Sequence, residues 1–142
     1  MLPIQLNTHD HINSDVEVDY MLMTSFNDIY TRCHSHDFFE FFIILNGRIE
    51  HIVNTVPITM GKGTLVFMRP NDVHYYKKVR SEDCQLLNIA VKEETIFALL
   101  NYLGPGFHPK RLTNPAIPPS VILSEGELED LMARFETLNL LN

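Results

Sequence analysis

At 142 residues, with 45% apolar and 10% aromatic content, the chain is long enough for one domain with a real core and too short for two. Its 18 acidic against 11 basic side chains give a net charge of −7, and no basic cluster exceeds the run Lys77-Lys78-Val79-Arg80, so the chain by itself is a poor binder of a phosphate backbone. Cys33 and Cys84 stand alone without metal or redox spacing, and neither a secretion signal nor an apolar run near the ~20 residues of a membrane span is visible, which together indicate a soluble cytoplasmic protein without a disulfide framework.

Residues 1–19 are polar and acidic and are expected to form a loose arm leading into a strand. His9 and His11 have a His-any-His spacing, but no carboxylate follows at a matching offset, and a solvated loop is the better reading. Residues 20–26 and 29–36 suit two strands with a turn at Asn27 and Asp28 between them. Alternate side chains of an extended chain share a face, which predicts His34, His36 and Glu40 together on one face of a single strand. Phe38 to Leu45 is apolar on both faces apart from Glu40, so both must be covered: one by a barrel interior, the other by a helix or a second subunit. A carboxylate among four Phe is costly unless it is paired, hydrogen-bonded or bound to metal. The plain reading gives Glu40 an ion pair with Arg32, Arg48 or Arg69; the sharper one gives it a metal or a polar pocket.

Asn46-Gly47 signals a tight hairpin into Arg48 to Val53, Asn54-Thr55 turns into Val56 to Met60, and Gly61-Lys62-Gly63 turns into Thr64 to Met68. Pro70-Asn71-Asp72 then re-aims the chain so that His74 points inward. Cys84 to Val91 reads as a further apolar strand, in which Asn88 is either a satisfied core amide or a ligand contact. Short strands at this spacing indicate an all-β sandwich or barrel. Residues 93–103 have helical apolar spacing, stopped by Gly104-Pro105; 107–119 should be an extended connector. Ser124 to Glu127 resembles a capping box opening a second helix, with Leu128, Leu131, Met132, Phe135 and Leu138 as its apolar stripe.

His34, His36, Glu40 and Gly47 match four fixed points of the first cupin motif, with Asp28 where its leading Gly would stand; Gly63, Pro70 and His74 resemble the second motif, one residue short, with Lys78 at its closing Asn. The resemblance implies a mainly β, cupin-type double-stranded β-helix (jelly-roll barrel) over 20–92, preceded by the arm 1–19 and followed over 93–142 by two carboxy-terminal α-helices. Two or three imidazoles with a carboxylate suit a divalent ion, so His34, His36, Glu40 and His74 are the expected ligands of Zn, Ni, Fe or Mn, the identity left open. Phe38, Phe42, Arg69, Tyr76 and Asn88 are the expected lining of a ligand pocket.

The shortened second motif is more similar to the amino-terminal sensing and dimerising domain of AraC-type transcription regulators, particularly those of oligosaccharide use, than to cupin enzymes. That implies a small-molecule effector, a sugar or oligosaccharide, a homodimer, no membrane, and contact with DNA only through a separate domain absent from this chain. Two other readings stand beside it. One is a metal-dependent cupin enzyme, a dioxygenase or isomerase, for which no acid or base beyond the ligands is evident. The other is a barrel used only for dimerisation, with the four polar residues hydrogen-bonded to one another.

Overall fold

Runs of β-branched and aromatic residues, broken every five to eight positions by Gly, Asn or Pro, leave this chain with short extended segments that must pair to satisfy their backbone groups. In the computed structural model, which describes residues 2–24, 26 and 28–140, the strands in chain order are β1 (Ile4–Leu6), β2 (Val18–Met23), β3 (His34–His36), β4 (Phe39–Asn46) and β5 (Arg48–Val53). They continue as β6 (Val56–Gly61), β7 (Thr64–Met68), β8 (His74–Lys78), β9 (Gln85–Val91) and β10 (Ser120–Ile122). One sheet has the order β1-β3-β8-β5-β6 and the other β10-β7-β4-β9-β2. Helices α1 (Thr8–His11) and α2 (Asp28–Thr31) are single turns before β3, α3 (Glu93–Tyr102) and α4 (Lys110–Thr113) follow β9, and α5 (Glu125–Leu140) comes after β10.

Two glycine turns, of which Asn46-Gly47 reads as a hairpin, are corners between the sheets. Asn46-Gly47 carries the chain from β4 in one sheet to β5 in the other, and Gly61-Lys62-Gly63 carries it back from β6 to β7. Gly47 has φ 76° and a Cβ there would collide with the carbonyl of Asp83, so glycine is required by backbone approach as well as by conformation. The true two-residue hairpin is Asn54-Thr55, both at positive φ (47° and 73°), joining β5 to β6 at the pair Val53 and Val56.

Other local expectations also need correction. Residues 29–36 are not one strand: Asp28–Thr31 is helical and only His34–His36 is extended, pairing with β1 and β8. Asn27 of the expected turn lies outside the described residues. The chain then changes sheet between His36 and Phe39, where the Asp37 carboxylate accepts hydrogen bonds from both the backbone N–H and hydroxyl of Thr8 at 2.6 Å. His36 and Glu40 therefore lie on different strands of different sheets. The stretch read as a loose arm supplies β1, parallel to β3, and α1; the connector 107–119 contains α4 and is followed by a strand, Ser120–Ile122, that pairs with β7.

Apolar residues fill two layers. Met23, Phe42, Ile44, Ile49, Val53, Met68, Tyr76 and Leu86 pack between the sheets. Phe39, Ile43, Phe67, Leu87 and Ile89 cover the outer side of the second sheet, where Ile96 of α3 and Leu128, Leu131 and Phe135 of α5 close over them. The capping box forms as expected: Ser124 N–H donates to Glu127 (2.7 Å) and Glu127 N–H donates to the Ser124 hydroxyl (3.2 Å). Among the described residues no helix is long and apolar enough to cross a membrane.

Candidate metal and ligand site

Three segments converge at one end of the inner layer. β3 delivers His36, the turn after β7 leads into His74 at the start of β8, and Glu40 reaches in from β4 in the opposite sheet. The turn is held to the site by its own backbone: Asn71, at φ 69°, donates its N–H to the carbonyl of His36 at 3.0 Å. One ligand atom each from His36, Glu40 and His74 lie within 4.8 Å of one another, and all three residues are buried.

The hydrogen bonding leaves these atoms facing each other without partners. His36 Nδ1 lies 2.8 Å from the carbonyl of Phe38, which can only accept, so the ring proton sits on Nδ1 and the Nε2 lone pair is free. His74 Nδ1 is 2.9 Å from Nε2 of His51. His36 Nε2, His74 Nε2 and Glu40 Oε1 are buried with no hydrogen-bond partner. The 3.5 Å separation of His36 Nε2 and Glu40 Oε2 is longer than a good hydrogen bond, and burial works against charge on either group. Burial drives the His36 imidazole below the ordinary histidine value and pushes the Glu40 carboxyl up to about 7, opposed by hydrogen bonding to the Asn88 amide and by electrostatic attraction to the His34 imidazole. His74 is driven well below the usual histidine range, by burial first and then by its histidine neighbours. A carboxyl and two neutral imidazoles with inward-facing ring nitrogens form a donor set suited to a borderline divalent cation.

His34 behaves differently from the other expected ligands. It is the cross-strand partner of His74, with ring centroids 4.4 Å apart, and its Nδ1 bonds the carbonyl of Arg32 at 2.8 Å. It is not a member of the group whose ligand atoms converge. Sequence reasoning missed His51, which is fully buried on β5. The signal was present: His51 stands between Ile49 and Val53 on the inward face of a strand, where a polar side chain needs an explanation.

A pocket of about 310 Å³ opens on the Glu40 carboxyl. Tyr20, Met21, Tyr30, Phe38, Asn88 and Ala90 line it, with Asp10 and His11 of α1 and Asp19 of β2. Of the expected lining, Phe38 and Asn88 are there. Phe42 and Tyr76 are not, because both point into the apolar layer between the sheets, where their rings meet edge to face at 5.5 Å. Arg69 is elsewhere too. Its guanidinium bonds both carboxylate oxygens of Asp72 (2.6 and 3.0 Å) and the carbonyls of Leu112 and Pro115 (3.2 and 2.8 Å). Burial would raise the Asp72 carboxyl, but hydrogen bonds from Arg69 and Asn54 outweigh it and hold it below its ordinary value.

Residues 27–90 match the cupin domain family, and the two-sheet barrel around them has the cupin fold, with helices appended at its carboxy-terminal side. That fold is linked here to AraC-type transcription regulators. A 71-residue stretch is 31% identical to the HTH-type transcriptional activator RhaS of Yersinia pestis (strain Pestoides F), which amounts to 50% of this chain and 25% of that relative. Apo ToxT from Vibrio cholerae strain SCE256 superposes with a TM-score of 0.60 at 14% identity, over 86% of this chain and 48% of that one. ToxT from Vibrio cholerae O395 bound to (E)-4-(8-methylnaphthalen-1-yl)but-3-enoic acid does so with a TM-score of 0.56 at 12% identity, over 85% and 47%. At these identities the likeness to ToxT is one of fold. The chain spans about a quarter of the length of the curated relative it matches and about half of the ToxT chain.

Proposed function

We propose that this chain is the effector-sensing part of a cytoplasmic AraC-type transcription regulator, which takes a sugar into the pocket above Glu40, holds a divalent ion with His36, Glu40 and His74, and acts as a homodimer that meets DNA through a separate domain. The observation that carries this reading is the coincidence of two features: three buried, unpartnered ligand atoms converge at Glu40, and the same carboxyl forms part of the wall of the pocket of about 310 Å³. That volume is at the small end for a ligand site and suits a sugar of one or two rings better than a longer chain. Tyr20, Tyr30 and Phe38 offer ring faces to a sugar, and Asp10, Asp19 and Asn88 offer polar atoms to its hydroxyls. An ion there would neutralise the buried carboxyl and present open coordination positions to a hydroxyl of the bound molecule. An effector response further requires unequal affinity for two arrangements of the assembly.

Two measurements test this. Elemental analysis and metal titration of the purified chain should show one equivalent bound, and His36→Ala should abolish it. Calorimetry across a panel of mono- and oligosaccharides should find one that binds; indifference to every sugar tried would remove the sensing reading. The open positions of the same three-ligand set also favour a second reading, a metal-dependent cupin enzyme. Turnover of candidate substrates by the metal-loaded chain, with no effect of those compounds on assembly, would replace the first reading by the second.

A further inference from the structure

We propose that His51 is the residue that positions His74 for a metal ion, by accepting a hydrogen bond from the Nδ1–H of that imidazole and so turning its Nε2 lone pair toward His36 and Glu40. The assignment rests on the metal reading above and adds to it a residue that no sequence motif contains. His51 sits on β5 opposite Tyr76 and diagonal to His74, whose partner on that strand is Val53. Its Nε2 lies 2.9 Å from His74 Nδ1. Its ring is held upright by a stacked contact with Tyr76 (5.2 Å, 28°) and an edge contact with Phe42 (5.0 Å, 81°).

The neighbouring imidazoles show why His74 needs such a partner. His34 and His36 are each oriented by a main-chain carbonyl, those of Arg32 and Phe38, which fix the proton on Nδ1. For His74 the Nδ1 partner is a side chain, and an imidazole can accept or donate. If His51 accepts, the His74 proton sits on Nδ1 and its Nε2 is free to coordinate; the His51 proton then sits on its own Nδ1, so both rings stay neutral. That arrangement leaves His51 Nδ1 buried without a partner. An apolar residue would fill the same space without an orphaned polar atom, so a buried histidine here calls for a role beyond filling space. Metal-bound imidazoles characteristically donate their second N–H to an acceptor that orients them.

Three forms of the full chain decide it: wild type, His51→Leu and His51→Gln. Leu is apolar with similar bulk, whereas Gln carries its amide to about the place of the His51 Nε2 and can accept the same hydrogen bond. Zinc affinity, measured by competition against a chromophoric chelator, should fall roughly 10- to 100-fold in His51→Leu and stay near wild type in His51→Gln. Nitrogen-15 spectra of the zinc-loaded wild type should show His74 protonated at Nδ1. Should His51→Leu fail to melt cooperatively, His51→Asn replaces it, since its shorter amide stops near the position of Nδ1. Equal zinc affinity in all forms would overturn the positioning role and leave the metal reading standing, and so would a His51→Gln affinity as weak as that of His51→Leu, which assigns the loss to packing. A wild-type chain that takes up no zinc, nickel, iron or manganese would overturn both together.

Discussion

Strand β4 carries Phe42 and Ile44 into the space between the sheets, and Phe39 and Ile43 onto the underside of α3 and α5. The outer face is apolar along its whole length and is covered by helices that come from a separate stretch of chain. The inner face changes character as it is followed backwards from Ile44 to Phe42 and then Glu40, ending among His36, His51 and His74. Burial alone therefore does not separate a packing face from a binding face; what separates them is whether buried polar atoms are left facing one another without partners. The outer layer fastens a cover, and the inner layer builds a barrel with one polar end.

Substitutions on each face should break this contrast in different ways. Phe42→Ala, at a site with no solvent exposure, should cost about 3–5 kcal/mol in chemical denaturation and unfold the barrel as a unit. Glu40→Gln should do the opposite in chelator-treated protein. The carboxyl has a folded-state value raised to about 7 from an unfolded 4.5, so wild type loses stability relative to the variant as pH rises through that window. The advantage of Glu40→Gln should be absent below about pH 4 and reach on the order of 3 kcal/mol at pH 8; pH-resolved urea melts check both its sign and its window. On the outer face, Leu128→Ala should cost roughly 2–3 kcal/mol and expose the 107–119 connector to limited proteolysis before the barrel melts. Ser124→Ala removes one side of the capping box and should lower stability by about 1 kcal/mol, with helix content by circular dichroism falling slightly.

Much of this was legible in the residues. Alternation and turn chemistry located most of the strands, because those signals are local, and Glu40 stood out as a lone charge in an apolar run. What misled was the partner of each turn. Asn46-Gly47 has the composition of a hairpin, yet the strands on either side lie in different sheets and do not pair with each other, and only long-range packing decides that. The same limit placed His34, His36 and Glu40 on one strand when the chain in fact crosses between sheets after His36, so Glu40 approaches from the facing wall. Arg69, expected in the pocket, is engaged by carbonyls more than forty positions away, which no local pattern encodes. His51 carried a readable mark, a histidine between inward aliphatics, but matched no motif.

The Arg69 guanidinium has a mechanical consequence. It grips Asp72, two positions before His74, with one edge and the backbone at residues 112 and 115 with another, while Asn54 ties Asp72 to Ala116. Charge-assisted hydrogen bonds of this kind contribute roughly 1.5–3 kcal/mol each, so the turn that aims His74 and the segment that leads into α5 are yoked and cannot shift independently. A tug at either end is felt at the other without passing through the sheets.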